Sequence, residues 1–161
     1  MVKTNEQAQT LYEQDYNLWL QKTIEQLRSR QLENLDRENL IDELEGINRS
    51  DKRALESLLT RLLEHFLKLI YWEKERDYKA NKWQGEITTF RIQIKRLLKD
   101  SPSLKPYLVQ IFDECYLDAC KVVSRLMKCK INTLPEISIF TLEQALEENW
   151  FPDVQIKAEE E

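Results

Sequence analysis

The stretch Leu55-Glu56-Ser57-Leu58-Leu59-Thr60-Arg61-Leu62-Leu63-Glu64-His65-Phe66-Leu67-Lys68-Leu69-Ile70 decides the fold. Its apolar residues recur at spacings of three, four and seven, the period of an α-helix. At about 100° per residue, Leu55, Leu58, Leu59, Leu62, Leu63, Phe66, Leu67, Leu69 and Ile70 cover roughly half of the helix circumference, wider than the stripe of an ordinary surface helix. A helix with so wide an apolar face touches several neighbours at once, so this run is expected at the centre of the fold.

Working outward, the same helix is expected to begin at Asp36. Its carboxylate can cap, Leu35 before it can staple onto Leu40, and Glu38 suits the first turn. Leu40, Ile41, Leu44 and Ile47 lead into the central run. Continued unbroken to Asp100 the helix would be ~95 Å long at 1.5 Å per residue, too long for a small domain. A turn is therefore required. The apolar pattern lapses from Glu73 to Lys82 and Asn81 with Gln84 forms a capping box, so the turn is expected there. Trp83, Ile87, Phe90, Ile94 and Leu97 then mark a third helix, with Gly85 in its first turn explicable by a close helix contact.

Upstream, Thr4 with Gln7 makes a capping box for a first helix whose face is Tyr12, Tyr16, Trp19, Leu20, Thr23, Ile24 and Leu27, ending near Arg28 to Arg30. Downstream, Ser101 caps and Pro102 opens a fourth helix, where a missing amide costs nothing; Pro106 is tolerable in its first turns. Its stripe is Leu104, Leu108, Ile111, Phe112, Cys115, Ala119, Val122 and Leu126. Leu134 to Phe140 reads as an extended connector, and Thr141 with Gln144 caps a short helix to about Asn149, carrying Leu142, Ala145 and Leu146 inward. The expected architecture is all-α: an up-and-down helical bundle of four main helices plus a short C-terminal helix. One helical domain over residues 1–154 and a disordered acidic tail at 155–161 complete it.

Composition agrees. With 161 residues the chain can bury a core without disulfides or metals. It has 2 glycines and 4 prolines, too few for the turns of a β-sandwich, and 33% of its residues are charged, interleaved with apolar positions at helical period. A net charge of −5 disfavours indiscriminate binding to nucleic acid or anionic membrane. Cys115, Cys120 and Cys129 match neither a CxxC pair nor a zinc spacing, which points to reduced thiols in the cytoplasm. No apolar window suggests a signal peptide or a membrane span.

Several residues invite a chemical reading. His65 is the chain's single histidine, and the expectation is a boundary residue hydrogen-bonded to a side chain or carbonyl rather than a catalytic base, because no orienting carboxylate or nucleophile is specified by the spacing. A di-iron carboxylate site needs Glu-x-x-His twice, which one histidine cannot supply, and Asp42, Glu43 and Glu45 are explained by the helix dipole, so no metal or cofactor is expected. Arg91, Lys95, Arg96 and Lys99 form a candidate basic face on the third helix, better read as solvated surface than as a nucleic-acid interface. Tyr12, Tyr16 and Trp19 are expected to pack in the core, with Asp15 at the rim. Cys115 lies on the apolar stripe and Cys120 off it; neither is a good nucleophile.

The succession Tyr12-Glu13-Gln14-Asp15-Tyr16 with Trp19, Leu40-Ile41-Asp42-Glu43-Leu44-Glu45, Leu63-Glu64-His65-Phe66-Leu67-Lys68, Trp83 with Ile87 and Arg91, and Asp100-Ser101-Pro102-Ser103-Leu104 resembles the domain of unknown function 29 family, abundant in cyanobacteria. The match covers nearly the whole chain. The resemblance implies a compact helical domain with no assigned activity. This chain departs from it in the loop Tyr71 to Arg76, which lacks the proline common there in the family.

The leading functional expectation is a non-enzymatic interaction or assembly module that forms a homo-oligomer, because the wide face of the central helix exceeds what its neighbours would cover. Two alternatives differ in class. One is an enzyme or small-molecule-binding protein whose pocket or buried polar network gathers His65, Trp83, Arg91, Asp15 and Tyr16. It requires an open cavity reaching His65. The other is a nucleic-acid-binding accessory protein, which requires Arg91, Lys95, Arg96 and Lys99 on one exposed face.

Overall fold

A computed structural model of the chain describes residues 10–154. All regular elements among them are helical: α1 (Leu11–Gln14), α2 (Tyr16–Arg28), α3 (Arg37–Tyr71), α4 (Glu73–Asp100), α5 (Lys105–Leu126) and α6 (Leu142–Leu146), with single 3₁₀ turns before α3, α5 and α6. The expected all-α helical bundle is what forms. The chain divides into two compact units, one ending at Arg49 and the other beginning at Ser50, and α3 contributes to both.

In the N-terminal unit the expected first helix is interrupted. Asp15 leaves the helical conformation (φ −148°, ψ 88°) and its carboxylate caps α2 by accepting from the Leu18 amide at 2.9 Å. The interruption is local chemistry: an aspartate satisfies a new helix start as well as it continues an old one. The capping box expected at Thr4 and Gln7 lies outside the described residues; at the start of α1 the Glu13 carboxylate accepts from the Thr10 amide at 3.0 Å. The helix ends at Arg28 as expected. The Gln31 amide reaches the Gln26 carbonyl at 2.9 Å, and Arg30 takes the left-handed conformation (φ 59°) that lets the chain reverse. Asp36 is the hub of this unit. It accepts from the Asn39 side chain at 2.7 Å and the Trp19 indole at 3.0 Å, and these donors, Asn39 first, hold its carboxyl below the usual range. Together with Tyr12 and Tyr16, whose hydroxyls donate to Glu43 at 2.5 and 2.9 Å, they tie α2 antiparallel to the first turns of α3.

The C-terminal unit holds the core. Leu55, Leu59, Leu62, Leu63, Phe66, Leu67 and Leu69 of α3 are fully buried, each stabilising by about 1.5–3 kcal/mol relative to exposure. Ile87 and Ile94 of α4, Leu108, Ala119 and Val123 of α5, and Phe140 and Ala145 of the C-terminal segment close over them. The wide apolar face of α3 is therefore covered within this unit, which corrects the expectation of a surplus there. Directions alternate up and down: α3 and α4 run antiparallel, with His65 opposite Glu86 and Lys68 opposite Trp83, while α5 runs with α3, Tyr107 meeting Lys52 and the later Cys115 meeting the Glu56 carbonyl.

The turn between α3 and α4 is one residue, Trp72 (φ −93°, ψ 68°), and not the loop expected over Glu73 to Lys82. Asn81 and Gln84 lie mid-helix. Two features replace the missing apolar signal. Arg76 and Ala80 are buried on the α4 stripe below Trp83, the arginine contributing its aliphatic stem. The Arg76 guanidinium then donates to the Leu69 and Ile70 carbonyls at 2.9 and 3.1 Å, satisfying the end of α3. Gly85 has open space where a Cβ would stand, so no close contact accounts for it. Thr141 and Gln144 form the expected reciprocal cap, but α6 stops at Leu146, short of Asn149, because Arg91 takes the following carbonyls. Cys120, expected off the stripe, is buried beside Tyr116, and burial pushes both its thiol and that of Cys115 up.

Candidate functional site

One open cleft in the C-terminal unit, of about 480 Å³, reaches His65. Its walls are the solvent-side edges of α3 and α4. Arg61, His65, Lys68 and Trp72 recur at helical spacing on the first, and Lys79, Lys82, Trp83, Glu86 and Phe90 on the second. Antiparallel pairing across a one-residue turn zips these two rows together. The Trp72 and Trp83 rings stack 5.9 Å apart, Lys68 lies over the Trp83 ring at 5.8 Å and Lys79 over Trp72 at 6.0 Å. Lys79 also pairs with Glu75 at 2.7 Å. Burial pushes the Lys68 ammonium down from its ordinary pKa, with Glu64 and Glu86 opposing, and pushes the Glu64 carboxyl up.

His65 has both ring nitrogens engaged. Nδ1 lies 2.7 Å from the Arg61 carbonyl oxygen and Nε2 2.7 Å from Glu86 Oε2. A carbonyl can only accept, so Nδ1 carries a hydrogen; Nε2 and the carboxylate oxygen are then two acceptors unless a proton lies between them. The ring is thus tied at both nitrogens, one to its own helix and one to the next. The ring packs edge-on against Phe90, centroids 5.2 Å apart. The expected boundary histidine is found, its partners being a carbonyl of its own helix and a carboxylate of the next. A histidine so tied is a fixed hydrogen-bonding post on the cleft floor, with no nucleophile bonded to it among the described residues.

Of the residues named from sequence, the structure brings His65 and Trp83 to this cleft. Arg91 is elsewhere. It is 2% exposed, and its guanidinium donates to the carbonyls of Ala145 at 2.8 Å, Glu148 at 3.0 Å, Gln144 at 3.3 Å and Trp150 at 2.7 Å, between the rings of Phe66 and Phe151. Burial lowers its pKa, with Glu147 and Glu148 opposing. Asp15 and Tyr16 belong to the N-terminal unit, one capping α2 and the other bonded to Glu43. The candidate basic face is also divided: Arg96 and Lys99 are exposed, Lys95 lies 3.4 Å from Glu148, and Arg91 is buried.

The charged cleft residues that sequence reasoning missed are Arg61, Glu64, Lys68, Lys79, Lys82 and Glu86. The signal was partial: a turn at Trp72 folds Lys79, Lys82 and Glu86 back along α3, but the opposition of His65 to Glu86 and of Lys68 to Trp83 is set by how the helices pack and not by the position of the turn.

The fold and the cleft define a class: an all-α bundle with a cation-rich groove between two antiparallel helices. The chain belongs to the family described as Domain of unknown function DUF29, whose model matches residues 11–151 and so runs through both units. Neither a curated protein nor a solved structure matches the chain. Among the described residues no helix is long and apolar enough to cross a membrane.

Proposed function

We propose that the protein is an assembly module that pairs with a second copy of itself through the open side of its N-terminal hairpin. The observation that carries this reading is a side of that hairpin left uncovered. Tyr16, Leu20, Ile24 and Leu27 of α2 are 37–47% exposed, and Ile41, Leu44 and Ile47 of α3 are 53–59% exposed. On α2 these positions lie roughly 60–140° round from Trp19, and on α3 roughly 40–160° round from Glu43, in the same rotational sense at about 100° per residue. In an antiparallel pair, equal senses put both stripes on one side. Two helices of 13 residues, each ~10 Å wide and ~20 Å long, make a patch of about 400 Å² in projection, within the range that marks interaction surfaces.

Charge favours a second copy as the occupant. Arg28, Arg30 and Arg37 lie at the turn end of the hairpin beside Glu33, Asp36 and Glu38, whereas Glu13, Asp15, Asp42, Glu43 and Glu45, with Arg49, gather at its open end, which is the more acidic. A two-fold axis that lays two hairpins head to tail sets arginines against acids and completes a four-helix layer. The acidity of the open end argues against an anionic partner. Burial of Arg91 supports the same preference, since it removes the residue that a nucleic-acid face on α4 requires. Residence in the cytoplasm is part of this reading, supported by three cysteines that form no disulfide.

The test is light scattering on a sizing column, from about 1 to 100 μM, for the parent chain and for Ile24→Glu with Leu44→Glu. The small patch predicts a dimer of modest affinity, with Kd on the order of 10 μM, and a monomeric variant with unchanged helicity. A parent chain that stays monomeric throughout would end the proposal.

A further inference from the structure

We infer that the cleft between α3 and α4 is a binding site for the phosphate group of a small organic phosphate, held by Lys68 with Arg61 and Lys82. Charge balance points to this chemistry. Lys79 is paired with Glu75, leaving Arg61, Lys68 and Lys82 against the carboxylates of Glu64 and Glu86. Those three cations form no ion pair among the described residues. The site thus carries a surplus of one positive charge without counting His65, in a chain whose net charge is −5, and a phosphate monoester near neutral pH is close to a dianion.

The way Lys68 is held favours an anion further. Its ammonium rests on the Trp83 ring, and a π face attracts a cation without using any of its hydrogens. Lys68 is half-buried, has Glu64 and Glu86 as well as Lys82 and Lys79 within electrostatic reach, and forms no ion pair among the described residues. An anion there gains charge-assisted hydrogen bonds in a setting that water screens weakly. The volume, about 480 Å³, is several times that of a phosphate ion and lies in the usual range of small-molecule pockets. The remainder is floored by Phe90 and Trp72 and edged by the His65–Glu86 pair, suiting an organic part with both an apolar surface and a hydroxyl.

Isothermal titration calorimetry on the full chain tests the site, with inorganic phosphate and ribose 5-phosphate as probes at fixed ionic strength in chloride. Saturable 1:1 binding is expected, tighter for the ester, and weakened about tenfold or more by Lys68→Gln. Lys99→Gln, an exposed lysine outside the cleft, should shift it by less than about twofold. Should Lys68→Gln lose helicity, Lys82→Gln, at an exposed position, makes the same test. No saturable heat from either probe up to roughly 10 mM, or equal losses in the cleft variant and the Lys99 control, would overturn the inference.

Discussion

Arg91 shows how one side chain can stand in for a secondary-structure element. The last turn of α6 and the segment after it have no further helix or strand to take up their carbonyls, and four of them, from Gln144 to Trp150, converge on one guanidinium. The planar fork explains the choice of residue: five donors fixed in one plane can serve several acceptors while the two faces stack on Phe66 and Phe151. A lysine ammonium is a point charge with three donors and no face to stack. Arg91→Lys is therefore expected to destabilise by about 3 kcal/mol, and Arg91→Met by as much or more, since each leaves buried carbonyls unpaired. Urea denaturation followed by circular dichroism checks this; a loss below about 1 kcal/mol for both would mean that water replaces the guanidinium without cost.

At the scale of elements, what could be read from the chain depended on whether apolar side chains wrote the signal. The core stripe of α3, the end of α2, the Asp36 start and the Thr141–Gln144 cap were legible because periodicity and capping chemistry are local; Pro102 opens a 3₁₀ turn that leads into α5 at Lys105, without the side-chain cap expected from Ser101. The turn at Trp72 was not legible. There the buried stripe continues through Arg76 and Ala80, a charged and a small residue that no hydropathy pattern counts, and the reversal is stabilised by a guanidinium capping α3 from beyond the turn. Placing that turn wrongly hid the cleft, because a turn at Trp72 is what folds Lys79, Lys82 and Glu86 back along α3. Gly85 is a second misreading of the same kind. Taken as a helix start it suggested a close contact, whereas it lies 12 residues into α4 with nothing near its absent Cβ. Gly85→Ala should then stabilise the protein by about 0.5–1 kcal/mol through reduced backbone entropy of the unfolded chain. A rise in the urea midpoint would show it; a fall would mean that something packs there after all.

At the scale of the whole molecule the two units differ in what holds them. Among the described residues the buried apolar side chains all lie in the C-terminal unit except Trp19. The N-terminal hairpin relies instead on Trp19, Thr23 and polar ties at Asp36 and Glu43, which water screens at half-exposed positions. Local stability follows buried apolar contact, so the two units should open independently. Amide hydrogen exchange on the dilute protein is expected to find α2 exchanging by small local openings and Leu55 to Leu69 protected nearly to the level of global unfolding. Raising the concentration into the range of the proposed dimer should slow exchange in α2 and in Arg37 to Arg49 while leaving Leu55 to Leu69 unchanged, because a partner that binds only the folded hairpin stabilises what it covers. The variant with Ile24→Glu and Leu44→Glu should show the dilute pattern at every concentration. Uniform protection across both units in the dilute protein would contradict this division, since it would require the hairpin to borrow stability that its own contacts do not supply.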